Sequence, residues 1–157
     1  MKTGFVMVLL LFSIVMQSSA LFASNSSELR AEADQYYTDN NFRKAYKIYY
    51  KLAKTGDHHS QGRVAHMFAN GEGKSVDLTE AYAWSVLAAQ SGKEEWLDRS
   101  DMLLGQVSSK PKAEEKAAKL MRNYGQAALE EKHKKAEKRA REGTGSCTGS
   151  RVACRSK

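Results

Sequence analysis

An internal repeat with an offset of 36 residues constrains the fold of this chain more than any other feature of its sequence. The shift places segment 41–46 over segment 77–82, Ala45 over Ala81, Ala53 over Ala89 and Gly56 over Gly92. Repeats of this length are single supersecondary units that bury a core only by stacking on their neighbours. We therefore expect an array of similar units.

The matching residues have roles at the ends of helices. Asn41 and Asp77 are suited to N-caps, because their side chains accept hydrogen bonds from first-turn amides. Glu80, three residues after Asp77, completes a capping-box pattern. Gly56 and Gly92 stand where each helix must end, since glycine adopts the left-handed conformation found there. The repeat thus predicts two helices, each beginning at a cap and ending at a glycine.

Apolar residues at helical spacing predict four further helices, over 27–38, 60–70, 93–107 and 111–141. Short connections make successive helices antiparallel neighbours. The expected fold is all-α: a stack of α/α hairpins over 27–107, closed by a long C-terminal helix. Gly125 is the weak point of that helix, because glycine costs about 1 kcal/mol relative to alanine. The helix over 93–107 is expected to bury Trp96, Leu97, Leu103 and Leu104.

The central unit has a specific pattern, made of Gln61, Val64, Ala65, Met67, Phe68, Gly71, Gly73, Asp77, Ala81, Trp84, Ala88, Ala89 and Gly92. This pattern resembles the SEL-one-like repeat, a relative of the tetratricopeptide repeat. Residues 27–56 resemble a degenerate preceding unit, and residues 93–107 the first helix of a following one. Lys74 and Phe68 depart from the family pattern, which has a small apolar residue and a tyrosine there. The resemblance implies a tetratricopeptide-like solenoid that acts as an interaction scaffold.

The N-terminus has the parts of a secretory signal peptide over residues 1–20. A positive charge is followed by the apolar run 5–16 and by the small residues Ser18 and Ala20, which suit a signal peptidase. Cleavage is expected between Ala20 and Leu21, with a cut after Ala23 as the alternative. The run is shorter than the roughly 20 apolar residues of a membrane-spanning helix. We expect an exported protein in a bacterial periplasm, or alternatively a secreted one.

Positive charge is concentrated towards the C-terminus. The chain carries a net +7, but residues 21–109 hold 10 Lys/Arg and 12 Asp/Glu, whereas residues 110–157 hold 14 and 6. Export makes nucleic acid an improbable partner, so lipid headgroups, glycans or an acidic protein are the candidate polyanions. Beyond Glu131 the helix is expected to project as a solvated basic extension. It either contacts an anionic surface or is a soluble extension stabilised by Glu–Lys pairs.

A tail over 143–157 is expected to be flexible and contains Cys147 and Cys154. Export would carry both thiols into an oxidising space, where a disulfide is the default. The ring closed by that bond would present Arg151 as a candidate partner contact. The alternatives are a disulfide that only protects the tail, and two thiols that pair with another protein.

No residue pattern predicts an active site, a metal site or a cofactor. His58 and His59 are expected in a loop, and His66 and His133 on helix surfaces, which does not supply the four ligands of a structural zinc site. No serine lies in a nucleophile elbow, and no glycine-rich segment has the context of a phosphate-binding loop.

The sequence therefore favours a non-catalytic scaffold or adaptor that binds a protein or peptide. Its expected binding surface is a concave face lined by alternate helices. Most aromatic side chains are expected in the core, with Tyr50 and Tyr82 reaching the surface as candidate partner contacts. The alternatives are a secreted factor that acts on another cell, and a small hydrolase like the cysteine-bearing relatives of this repeat fold.

Overall fold

The computed structural model describes residues 25–143. Within this range the all-α hairpin stack expected from the sequence is confirmed, and no strand occurs. The predicted signal peptide with its cleavage site at Ala20 and Leu21 lies outside the described residues, as do Cys147, Arg151 and Cys154. The helices are α1 (25–38), α2 (Phe42–Ala53), α3 (His58–Asn70), α4 (Leu78–Ala89), α5 (Glu94–Gln106), α6 (Lys110–Tyr124) and α7 (Gln126–Gly143).

Side-chain caps fix the starts of α3 and α4. Asp57 Oδ1 accepts a hydrogen bond from the Ser60 amide at 2.7 Å, so α3 begins two residues before the predicted start. Asp77 Oδ1 accepts from the Glu80 amide at 2.9 Å, which confirms this predicted cap. The reciprocal half of the capping box is not formed, because the Glu80 carboxylate pairs with Lys116 of α6. The prediction for Asn41 is wrong: its side chain makes no cap hydrogen bond.

Glycines close the connections between helices. Gly56 and Gly92 have φ values of 92° and 72°, which confirms the predicted helix ends. Position 73 requires glycine because a Cβ there would lie 2.6 Å from the Phe42 carbonyl oxygen. The loop between α3 and α4 therefore packs directly on the first turn of α2.

The helices alternate between two layers. In one layer α3 lies between α1 and α5: the rings of Tyr37 and His66 are 6.4 Å apart, and Arg99 contacts His66 at 3.2 Å. In the other layer α4 lies between α2 and α6. Its fully buried Trp84 ring packs against Tyr50 at 5.4 Å and Tyr124 at 5.9 Å. The core is the space between these layers.

The burial predicted for α5 is only partly correct. Leu103 is buried, but Trp96 and Leu104 are half-buried and Leu97 is 47% exposed. The reason is that α5 is the last helix of its layer within residues 25–143. The following α7 does not cover it, since Leu129 instead approaches the turn between α2 and α3.

The closing helical segment has the predicted extent, but Gly125 divides it into α6 and α7. Gly125 has an extended backbone (φ −68°, ψ 155°), which reorients the chain. As expected, residues 130–142 are exposed. No helix within residues 25–143 is long and apolar enough to cross a membrane.

Candidate functional site

Three alternate helices contribute side chains to a groove that we call the α1–α3–α5 face. His59, Arg63 and His66 lie on one side of α3, because residues spaced four and three apart share a helix face. Asp34 and Tyr37 of α1 flank them on one side. Glu95, Trp96 and Arg99 of α5 flank them on the other. The α3–α5 half of this face forms a cavity of about 270 Å³, lined by His59, Gly62, Arg63, His66, Glu95, Trp96 and Arg99.

His66 connects α5 to α3. The Arg99 Nη1 group donates a hydrogen bond to His66 Nδ1 over 3.2 Å, which requires that Nδ1 carries no proton. The neutral ring therefore has its proton on Nε2, and the Asn70 amide 2.8 Å away can accept it only through its oxygen, with the amide nitrogen and oxygen exchanged. Burial lowers the pKa of His66, and the positive charges of Arg99 and Arg63 lower it further, although Glu72 acts in the opposite direction. The imidazole is thus neutral at neutral pH, as the hydrogen bond from Arg99 requires.

Two carboxylates at this face accept hydrogen bonds from tyrosine hydroxyls. The Tyr37 hydroxyl donates to Glu72 Oε2 at 2.7 Å. Burial, followed by this hydrogen bond, raises the pKa of Tyr37 to about 12. The Tyr49 hydroxyl donates to Asp34, and burial together with that contact raises the pKa of Tyr49 as well. Both phenols therefore remain protonated at neutral pH and hold their carboxylate partners.

The two arginines of the face are not engaged by carboxylates. Arg63 lies 5.0 Å from the Tyr37 ring centre, and Arg99 lies 5.9 Å from that of Trp96. Among residues 25–143, neither guanidinium has a carboxylate within 4.0 Å. Guanidinium groups held on aromatic rings can donate hydrogen bonds to carbonyl or carboxylate oxygens while the rings pack against an apolar group. The groove therefore offers both polar and aromatic contacts to a ligand.

The structure separates the two tyrosines that the sequence singled out. Tyr50 and Tyr82 are both half-buried and belong to the second layer. Tyr50 stacks on Tyr46 with ring centres 5.4 Å apart and contacts Trp84. Burial raises the pKa of Tyr82, and the nearby charges of Glu114 and Asp101 raise it further. The two rings do not form one site.

The sequence did not identify Arg63, His66 and Arg99 as site residues. A row of ionisable side chains at positions 59, 63 and 66, which share one face of α3, was the available signal. The placement of the histidines also needs correction, because His58 and His59 form the first turn of α3 rather than a loop. His66 is half-buried between α1 and α5 rather than solvent-facing.

A second surface lies on the other layer, and we call it the lysine–tyrosine face. Each of its three tyrosine rings has a lysine ammonium nearby: Lys54 at 4.8 Å from Tyr50, Lys74 at 5.0 Å from Tyr46 and Lys132 at 5.8 Å from Tyr124. Beside it, α4 and α6 enclose a cavity of about 350 Å³, lined by Asp77, Thr79, Glu80, Lys112, Glu115, Lys116, Lys119 and Arg122. Basic side chains dominate this surface.

Comparison with known proteins assigns neither surface a function. No family model matches the chain, and no curated protein matches it. The resemblance to the SEL-one-like repeat therefore stays a prediction from the residues. In the part of the chain that the structure describes, no group of three or more His, Cys, Asp or Glu side chains is placed to hold a metal ion.

Proposed function

We propose that this chain is an exported helical-repeat scaffold that binds a protein or peptide in the groove of the α1–α3–α5 face. The observation that supports this proposal is the convergence of Arg63, His66, Trp96 and Arg99 from two alternate helices on one open cavity. Stacked helical hairpins commonly bind their partners along a surface that successive repeats build together. The proposal includes membership of the SEL-one-like repeats, and no catalytic step.

The groove is suited to peptide recognition because its side chains are held in place without a ligand. Arg99 is fixed by His66 and by the Trp96 ring, while Arg63 is fixed by the Tyr37 ring. A side chain that is already ordered loses less conformational entropy when it binds a partner. Arginine and tryptophan are also the residue types that contribute most often to binding hot spots.

Export belongs to the same proposal. The signal peptide over 1–20 would deliver the chain to the periplasm, and a disulfide between Cys147 and Cys154 would follow from the oxidising compartment. N-terminal sequencing of protein recovered from the periplasm tests the cut after Ala20. Recovery from the culture medium alone would instead favour the secreted factor.

Site-directed photo-crosslinking tests the binding groove. A photo-reactive amino acid at the exposed groove residue Glu95 should crosslink one partner in the native compartment. Arg99→Ala should remove most of that product, because it removes a guanidinium and frees the Trp96 ring. Arg122→Ala, an exposed arginine of α6 on the other layer, is the matched control and should leave the product unchanged. Equal crosslinking in both variants, or none in the parent protein, would contradict the proposal.

A further inference from the structure

The charge of the folded chain is divided between its two layers. Helices α1, α3 and α5 together carry three basic and seven acidic residues, a net charge of −4. Helices α2, α4 and α6 of the other layer carry nine basic and three acidic residues, a net charge of +6, and α7 adds six basic and four acidic residues. Such a separation gives the molecule an orientation in the field of any charged surface.

Helix α2 carries four basic residues and no acidic residue. Arg43, Lys47 and Lys51 follow one another at intervals of four residues, and all three are exposed on one side of α2. Among residues 25–143 none of them has a carboxylate within 4.0 Å. The row therefore presents uncompensated positive charge to solvent.

The same uncompensated charge continues onto α6. Lys112 and Lys119 line the cavity beside the start of α4, and neither has a carboxylate within 4.0 Å among the described residues. Lys116 between them pairs with Glu80. The helices α2 and α6 are neighbours across Trp84, since Tyr50 and Tyr124 contact its ring. The two basic rows thus belong to one layer.

We propose that this basic layer, with the lysine–tyrosine face at its centre, docks on an anionic lipid bilayer and leaves the α1–α3–α5 face turned away from the membrane. Lysine and arginine side chains would contact lipid phosphates, while the acidic layer would be repelled by the same surface. The inference does not depend on the peptide-binding groove.

The distribution of the charge favours a bilayer over a soluble polyanion. The basic side chains are spread over α2, α6, α7 and the loop residue Lys74, rather than gathered around one closed cavity. A wide plane of phosphates can contact the basic rows of α2 and α6 at once. Among the described residues, the exposed large apolar side chains are Val76, Leu97 and Met102. Two of them lie on α5 and only Val76 lies in the loop that carries Lys74, so the basic layer would adsorb mainly by charge.

Vesicle sedimentation of the full chain tests the inference. Binding to phosphatidylglycerol-rich vesicles should exceed binding to neutral phosphatidylcholine vesicles, and salt should weaken it because exposed charges are screened over about 8–10 Å. The neutral vesicles measure any contribution from the apolar run 5–16. The triple variant Lys54→Gln, Lys74→Gln, Lys119→Gln should lower the partition coefficient on anionic vesicles by about a hundredfold, at about fivefold for each lysine.

The matched control changes the net charge equally on the other layer. Ala31→Glu, Met102→Glu and Gln106→Glu each add one negative charge at an exposed position of α1 or α5. The partition coefficient of this triple variant on anionic vesicles should fall by less than about threefold. Thermal unfolding of both variants shows that they are folded. Equal losses in the two variants, or equal binding of the parent chain to neutral vesicles, would overturn the inference. Tighter binding to soluble polyglutamate or heparin than to anionic vesicles would also overturn it.

Discussion

The indole ring of Trp96 on α5 lies directly over Gly62 on α3. A Cβ at position 62 would be only 2.3 Å from the Trp96 Cη2 atom. Gly62 itself is buried in the middle of α3, where a glycine costs about 0.5–1 kcal/mol relative to alanine. The missing side chain is what allows the ring to form one wall of the groove.

Gly62→Ala should displace Trp96 from the groove. The clash involves the far end of a side chain, so the ring can rotate away and the net change in unfolding free energy should stay within about 1–2 kcal/mol. In a Trp84→Phe background, where Trp96 is the remaining tryptophan, its emission should shift to longer wavelength and acrylamide should quench it more strongly. Gly105→Ala is the control, because a Cβ there meets nothing within 4 Å. An unchanged spectrum for Gly62→Ala would contradict the arrangement.

Trp84 should be the most costly aromatic residue to remove. Its side chain is fully buried, and it packs between Tyr50 and Tyr124. Trp84→Ala should lower the unfolding free energy by about 3–5 kcal/mol. Trp84→Phe should cost less, because the indole N–H has no hydrogen-bond partner in the described structure. Urea denaturation followed by circular dichroism measures both, with the half-buried Trp96→Ala as the comparison. A larger loss for Trp96→Ala would refute this assignment of the core.

Stability should fall in mild acid because of His66. Its pKa in the folded state is lowered by burial, whereas an unfolded histidine has a pKa of about 6.5. The unfolded chain therefore takes up the proton more readily, so this contribution is complete above about pH 6.5 and decreases as the pH falls below it. Protonation of Nδ1 also removes the acceptor that Arg99 uses, although Glu72 at 3.8 Å partly compensates.

The measurement is the unfolding free energy of the parent chain and of His66→Gln at pH values above and below about 6.5. The parent chain should lose more stability in acid than the variant. His133→Gln, an exposed histidine of α7, should behave like the parent. If the parent and His66→Gln curves run parallel, the neutral His66 is not what connects α5 to α3 at neutral pH.

Gly125→Ala should favour a continuous helix across the α6–α7 junction. In the present bend, a Cβ at position 125 would lie 2.6 Å from the Met121 carbonyl oxygen. An uninterrupted helix relieves that clash, and alanine favours it by about 1 kcal/mol. Spin labels at the exposed residues Lys51 and Lys138 should report a changed distance between α2 and α7. An unchanged distance distribution would mean that the packing of Leu129 fixes the bend on its own.

Six helical segments could be read from the sequence because their signals are local, but the division of the last segment into α6 and α7 could not. Asp77 as a cap and Gly56 and Gly92 as helix ends were recognisable from residue type and spacing. The prediction of Asn41 as an N-cap was wrong for a physical reason. A suitable side chain caps a helix only when the preceding turn orients it. There the turn uses Asn40 at a positive φ of 57°.

The candidate site could not be read in the same way. His59, Arg63 and His66 are visible as a row on α3, but their neighbours Tyr37, Trp96 and Arg99 lie about thirty residues away in either direction. Tyr50 and Tyr82 were chosen for their amphipathic character, which does not indicate which layer a helix joins. The exposure of Leu97 likewise depends on α7 turning away at Gly125.

The sequence by itself determined an all-helical array with its period, its principal stops and its basic C-terminal third, because periodicity, capping and composition act within a few residues. Only the tertiary structure decided that α1, α3 and α5 share one layer. That arrangement converges two arginines on an aromatic groove and places the basic row of α2 beside that of α6. Contacts between distant segments depend on how whole helices pack, and helix packing is set by the burial of many side chains at once.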